Sequence, residues 1–423
     1  MKTLIPILAW LALSAMASIF FGNELLNEEL KPNFLPNETS HGHYQIELKC
    51  NACHTPNMGI KENACLDCHQ QDLKDGQDSH PATKFNDPRN FEMVQNLDGR
   101  KCITCHSEHV PHSTSKMGLT LPSDFCMECH QDIGEERESH KGLDFTSCAT
   151  AGCHNYHDNR ALYEDFLVEH YGEDPHLHTA SEISINKKIA KNKQLFEHDS
   201  PELPNPQILH DWSSTAHAAA GVNCRDCHQS EENTAWTDKV PLETCQNCHQ
   251  TQTDSFKQGR HGMRLDVGLP AMKVGDARLE MKVQAAHREV NCISCHNDHR
   301  FNLRTAAMDA CLKCHNDAHS LNYKKSPHYT YWRIDSEMQE FNKGVSCATC
   351  HMPRIKKNGK VIVDHNQNNN LRPNEKMIRS ACMKCHGLEF SINALADPEL
   401  IKHNFNKAPS KKIKSLEWAK QRE

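Results

Sequence analysis

The chain has 423 residues, enough for two or three domains with separate apolar cores, yet only 37% of it is hydrophobic and 6% aromatic. Its 48 basic and 55 acidic side chains leave a net charge of −7, without the positive excess that follows nucleic acid. Beside that thin apolar content stand 22 cysteines and 31 histidines, which exclude a purely protein-built interior and point to a bound prosthetic group.

In chain order, Lys2 precedes an apolar run from Leu4 to Phe21 that contains Ala15-Met16-Ala17, an A-x-A-like cleavage signal. Residues 1–22 therefore read as a signal peptide or an uncleaved N-terminal anchor, the run being at the lower edge of a spanning helix. Either way the cysteine-rich part is expected outside the cytoplasm, in the periplasm. The absence of a cysteine near the end of the run argues against a lipid anchor.

Ten copies of Cys-x-x-Cys-His follow. They are Cys50, Cys53 and His54; Cys65, Cys68 and His69; Cys102, Cys105 and His106; Cys126, Cys129 and His130; Cys224, Cys227 and His228; Cys245, Cys248 and His249; Cys292, Cys295 and His296; Cys311, Cys314 and His315; Cys347, Cys350 and His351; Cys382, Cys385 and His386. An eleventh has four residues inside the pair: Cys148, Cys153 and His154. Together they use every cysteine and leave none for a disulfide. Two thiols at this spacing add across the vinyl groups of one haem and the adjacent histidine lies under the iron as proximal ligand, so the expected cofactor is eleven covalent haems c. Zinc sites share the cysteine pair but do not require a histidine at the same offset each time. For Cys148 and Cys153 the two extra residues must bulge, and a structural thiol pair is the alternative there.

Five motifs fall in a lobe at 40–160 and six in a lobe at 207–400, separated by a helical linker or excursion at 161–206 and followed by a basic tail at 401–423. The gap contains two expected helices, Arg160 to Glu169 and Lys187 to Phe196, then the breaker-rich Pro201 to Pro206. Thr251 to Gly259 and Asp276 to Glu289 also read as helices, and Lys360 to Val363 is the best strand candidate. The tail carries Lys407, Lys411, Lys412, Lys414, Lys420 and Arg422, with Ile413, Leu416 and Ala419 able to form one apolar face that docks on an acidic partner or anionic membrane; a solvated helix is the plainer reading. The expected class is mainly α with much irregular structure, a multihaem cytochrome c fold organised around stacked haems, and the apoprotein should not fold by itself.

Removing the eleven proximal histidines leaves 20, enough for a second axial ligand on every iron. The distal candidates are His43, His140, His217 and His287 upstream of a motif; His109, His157, His299 and His319 just after one; and the isolated His80, His261, His328 and His365. His41, His112, His170, His176, His178, His198, His210 and His403 read as solvent-facing or local hydrogen-bond partners. Bis-histidine ligation keeps potentials low and closes the iron to substrate, so electron transfer is the minimum function.

Several segments between about 210 and 405 carry a resemblance: His261-Gly-Met-Arg264, Cys292-Ile-Ser-Cys-His-Asn-Asp-His299, Ser326-Pro-His-Tyr329, Gly344-Val-Ser-Cys-Ala-Thr-Cys-His-Met-Pro353, His365-Asn-Gln-Asn368 through Leu371-Arg-Pro373, and Cys382-Met-Lys-Cys-His386 to Ile392. This part resembles the hydroxylamine oxidoreductase-like multihaem cytochromes. The resemblance implies tightly stacked haems, mostly bis-histidine, in an exported protein that handles nitrogen compounds or exchanges electrons with quinone-linked partners. Those enzymes generally carry eight haems, and the oxidative members tie a tyrosine after the last motif to the catalytic haem; here the last tyrosine is Tyr331, ahead of two motifs. Nor does the chain contain Cys-x-x-Cys-Lys, the mark of pentahaem ammonia-forming nitrite reductases.

The expectation is an exported undecahaem electron carrier in anaerobic or nitrogen-linked respiration. Its partners would be redox proteins such as a quinone-linked membrane cytochrome or a terminal reductase. The alternative is an oxidoreductase that reduces a small nitrogen compound, nitrite or hydroxylamine, at one haem with an open distal site.

Overall fold

The computed structural model describes residues 4–26, 35–55, 59–141, 154–158, 164–176, 197–229, 234–338, 344–357 and 359–421. Cys148, Cys153, His178 and the expected helix at 187–196 lie outside the described residues. The chain divides into two compact units, one of residues 1–69 and 81–122, the other of residues 70–80 and 123–423. Three motifs, those beginning at Cys50, Cys65 and Cys102, belong to the first unit, and the remaining eight to the second.

The first unit begins with a helix, Leu4–Leu26, that has no charge in its first or last turn. Its stretch Pro6–Asn23 is long and apolar enough to cross a membrane and has none of its surface buried. After it come short helical turns, among them Tyr44–Ile46, Cys50–Ala52 and Cys102–Cys105, and a minimal hairpin pairing His54 with Ile60. The helix Glu62–Gly76 runs out of this unit through the second motif.

The second unit is likewise mainly short helices. The expected linker helix is present as Glu164–His170. The helix expected from Thr251 is longer, Leu242–Gln258, and runs through the motif with a kink at His249 (φ −113°, ψ 39°). Lys360–Val363 is a strand, paired antiparallel with Arg354–Lys357, and Gly359 supplies the positive φ (72°) of the turn between them.

The helix expected over Asp276 to Glu289 is not formed. Only two 3₁₀ turns appear, Val274–Asp276 and Val283–Ala285. Between them the backbone bonds laterally: Val274 N–H to Arg288, Gly275 N–H to Ala286, Lys282 N–H to Cys314 and Asn316 N–H to Glu280. Pairing with its own return and with the motif at 311–315 outweighs the segment's helical propensity.

The apolar core is small, as the composition requires. Leu167, Met377, Ile378, Ala381, Leu388, Ile392, Leu395, Leu416 and Ala419 form one buried cluster, with Cys350, Cys382 and Met383 packed against it. The tail helix Lys414–Lys420 contributes Leu416 and Ala419 to this cluster. The apolar face that could have met a membrane is therefore used inside the protein, while Lys407, Lys411, Lys412 and Lys420 stay exposed.

Candidate metal centres

Each of the ten Cys-x-x-Cys-His motifs places its two cysteines three residues apart on a helical turn, so both sulfurs leave the same face, with the histidine directly after the second. Three of these turns are nucleated by the residue just before the first cysteine. Asn223, Asn291 and Ser346 each cap the motif helix, and the second intervening residue, Asp226, Ser294 or Thr349, returns a side-chain bond to complete a capping box. The sequence carries this signal, a capping residue before the cysteine and a polar residue three later, although the motif reading alone passes over it. No described cysteine is in a disulfide.

Ten of the eleven motif histidines meet a second imidazole. In the first unit the ring centroids of His43 and His69 are 5.9 Å apart and those of His54 and His109 are 6.4 Å apart. In the second unit His130 faces His80 (6.1 Å), His154 faces His140 (6.1 Å), His249 faces His217 (5.9 Å) and His228 faces His299 (5.8 Å). His315 faces His261 (6.3 Å), His296 faces His365 (6.3 Å), His351 faces His319 (6.0 Å) and His386 faces His328 (6.2 Å).

These separations test whether the residues suit a metal. Two imidazoles joined by a hydrogen bond of about 2.9 Å, each ring adding about 1.1 Å from nitrogen to centroid, stand about 5 Å apart. Two metal–nitrogen bonds of about 2 Å with the same ring offsets bring the centroids to about 6 Å. All ten pairs fall at the second value. The rings are spaced to hold an ion between them.

Orientation and charge agree. A ligating histidine ordinarily donates its other ring N–H to a carbonyl or carboxylate, which fixes the tautomer. Here Nδ1 of His80 meets the Tyr156 carbonyl at 2.9 Å, His106 that of Gly118 at 3.2 Å, His109 that of Asn37 at 2.7 Å, and His228 that of Thr237 at 2.6 Å. His365 bonds to Val363 O at 3.0 Å, His386 to Pro175 O at 3.0 Å, and His319 to Ile401 O. His43 bonds a carboxylate at short range, Glu108 Oε1 at 2.6 Å. Burial, helped by the facing imidazole, lowers the pKa of His261, His296, His328 and His351 to about 4. They are neutral at physiological pH, the form that ligates metal.

Consecutive motifs are also close to one another. In the second unit Cys227 is in electrostatic range of Cys245 and Cys248, and Cys245 is in hydrogen-bond contact with Cys292. Cys295 is in range of Cys311 and Cys314, Cys311 is in contact with Cys347, and Cys350 is in range of Cys382 and Cys385. The six motifs thus follow one another in space in their chain order. In the first unit Cys53 and Cys68 are neighbours in the same sense.

Residues 318–398 match the cytochrome c552 family model, and residues 42–131 and 216–302 match the cytochrome c3 model. Cytochrome c-552 of Haemophilus ducreyi (strain 35000HP / ATCC 700724) is 25% identical over 165 residues, covering 34% of this chain and 32% of that protein. The chain thus spans about a third of that relative's length. No solved structure matches. The chain is a multihaem c-type cytochrome. Those families imply covalently bound haem c and support electron transfer.

Two distal candidates are placed differently from the rest. His287 is exposed. His157 has Nδ1 3.2 Å from Asp78 Oδ1 and its ring 4.9 Å from that of Tyr156. Of the histidines given minor roles, His170 bonds Glu173 (2.7 Å) and His403 bonds the Glu399 carbonyl (2.8 Å), as local hydrogen-bond partners do. His176 lies 5.3 Å from His386, a proximity the sequence did not signal. Aromatic rings stack directly on three of the facing histidines: Tyr156 on His80 (4.2 Å), Trp236 on His228 (4.6 Å) and Phe390 on His386 (4.6 Å).

Proposed function

We propose that the chain is an exported undecahaem cytochrome that passes electrons along mostly bis-histidine haems in anaerobic or nitrogen-linked respiration. One observation carries the reading: all eight motif histidines of the second unit, His130, His154, His228, His249, His296, His315, His351 and His386, face a second imidazole at iron-bridging distance. With both axial positions claimed by the protein, the site has no place for a substrate and retains electron exchange.

Each haem, once bound, supplies a one-electron iron couple. The protein's own residues do the rest. The cysteines fix each attachment point and its neighbours, burial keeps the imidazoles neutral, and the Nδ1 bonds hold the rings in the ligating tautomer. His43, His80, His109, His140, His217, His261, His299, His319, His328 and His365 are proposed as the distal ligands of the irons on the histidines they face. The proposed location is the periplasm, with the helix Leu4–Leu26 acting as signal or inner-membrane anchor. The proposed partners are redox proteins that meet this acidic cytochrome through basic patches, a quinone-linked cytochrome on one side and a terminal reductase on the other.

A second reading, reduction of a small nitrogen compound, has its own support. The second unit holds eight motifs, the number that the hydroxylamine oxidoreductase-like enzymes generally carry. It requires one facing histidine to leave its iron. Low-temperature electron paramagnetic resonance of the oxidised protein separates the two. Low-spin signals unchanged by nitrite or hydroxylamine, with no turnover, support the carrier; a high-spin component that shifts with either compound overturns it.

A further inference from the structure

The acceptors bonded to the facing histidines differ in one respect that bears on the order of electron flow. Among the three motifs of the first unit, the chain segment from His106 to His109 serves all three. His106 is a motif histidine, His109 faces His54, and the intervening Glu108 reaches His43, which faces His69. His106 and His109 donate to the neutral backbone carbonyls of Gly118 and Asn37. His43 donates to a full carboxylate.

Glu108 is held for this contact. Its Oε1 accepts from His43 Nδ1 at 2.6 Å and from Ser40 Oγ at 2.8 Å, and its Oε2 accepts from the Ser40 backbone N–H at 2.6 Å. The Glu108 side chain is 25% exposed, and Ser40 is buried. Three short bonds from His43 and Ser40 thus converge on the two carboxylate oxygens and fix the side chain against the ring. A fixed anion on the outer nitrogen makes an imidazole a more basic ligand, which favours the ferric over the ferrous iron. The Asp317 carboxylate, 3.9 Å from His315 Nδ1, is beyond hydrogen-bond reach and acts on that ring only through space.

We propose that Glu108 is a positioning and tuning residue that lowers the potential of the haem of Cys65, Cys68 and His69. Electrons arriving there are passed on to the haem of Cys50 and Cys53, whose cysteines neighbour its own. This rests on the bis-histidine reading of the His43–His69 pair.

The test is potentiometry of the intact holocytochrome, followed haem by haem through its low-spin resonances. Glu108→Gln keeps an acceptor for His43 but removes the charge. One haem is expected to become easier to reduce by about tenfold in its equilibrium constant, about 59 mV for a one-electron couple, with its low-spin signal retained. Ser40→Ala shifts the same haem the opposite way, because Glu108 loses a competing donor. Unchanged potentials in both variants overturn the proposal, as does a shift of the same sign in both. His43→Ala tests the underlying ligation separately: no new high-spin signal from that variant means that His43 is not the ligand, whatever Glu108 does.

Discussion

Gly387 follows the last motif histidine, and a substitution there tests how tightly the protein shell closes around that centre. Its backbone (φ −65°, ψ 162°) suits any residue, so Gly387→Ala carries no conformational penalty of its own. The cost is steric. A Cβ there meets the Asp174 carbonyl oxygen at 2.7 Å and the Glu173 Cβ and carbonyl oxygen at 3.0 Å, where ordinary contact begins near 3.4 Å. The atoms in the way are largely backbone, so the 173–175 segment must move. That segment supplies two bonds to the motif's flank, Pro175 O to His386 Nδ1 at 3.0 Å and Glu173 Oε2 to the Leu388 N–H at 3.1 Å. Glu173 is also held by His170 at 2.7 Å, which limits how far it can yield.

Overpacking of this kind costs about 1–3 kcal/mol, and loss of a charge-assisted bond about 1.5–3 kcal/mol. The smaller unfolded-state entropy of alanine offsets about 0.4–1 kcal/mol. A net destabilisation of about 2–4 kcal/mol is expected, read as a lowered midpoint in guanidinium unfolding of the holoprotein, with one haem's low-spin signature altered. A variant within about 0.5 kcal/mol of the parent, with an unchanged spectrum, refutes the contact geometry and with it the role given to Pro175 in orienting His386.

Three further expectations are simpler. Replacing His328 with alanine removes the imidazole that His386 faces at 6.2 Å and converts one low-spin iron to high spin; an unaltered resonance spectrum removes His328 from the ligand set. Asn291→Ala removes the cap of the Cys292–His296 helix and lowers stability by about 1 kcal/mol, measurable in the same unfolding experiment, with the haem retained because attachment is covalent. Intact mass of the mature protein exceeds that of the polypeptide by eleven haems, and a mass corresponding to ten places the shortfall at Cys148 and Cys153, the motif with the enlarged spacing.

The attachment chemistry was legible because it is local. Two cysteines and a histidine within five residues satisfy a constraint that no tertiary contact needs to complete. The facing histidines were legible only as a pool, since which ring meets which depends on how separate segments return: His328 and His365 reach His386 and His296 from opposite directions along the chain. The same dependence misled the helix expected over Asp276 to Glu289, where a favourable helical composition was overridden by lateral bonds to Cys314 and Ala286 that no periodicity announces. The tail failed in another way. Ile413, Leu416 and Ala419 do form an apolar face, but a face does not say what covers it, and here the cover is Leu167 and its neighbours. Glu108 was invisible for want of any motif linking residue 108 to residue 43.

The facing imidazoles also explain why so little apolar core suffices. The 21 buried apolar residues among those described, nine of them in one cluster, cannot offset the ordering of some four hundred, at about 1 kcal/mol or more of backbone entropy each. Nor do the histidine pairs help in the metal-free chain: rings such as His261 and His315 are buried, neutral, and set too far apart to bond to one another. The same gap becomes favourable once an iron spans it and a porphyrin covers the surrounding apolar surface. The spacing of these pairs is therefore also what makes the folded chain depend on its cofactor, and folding and haem attachment are expected to be a single event.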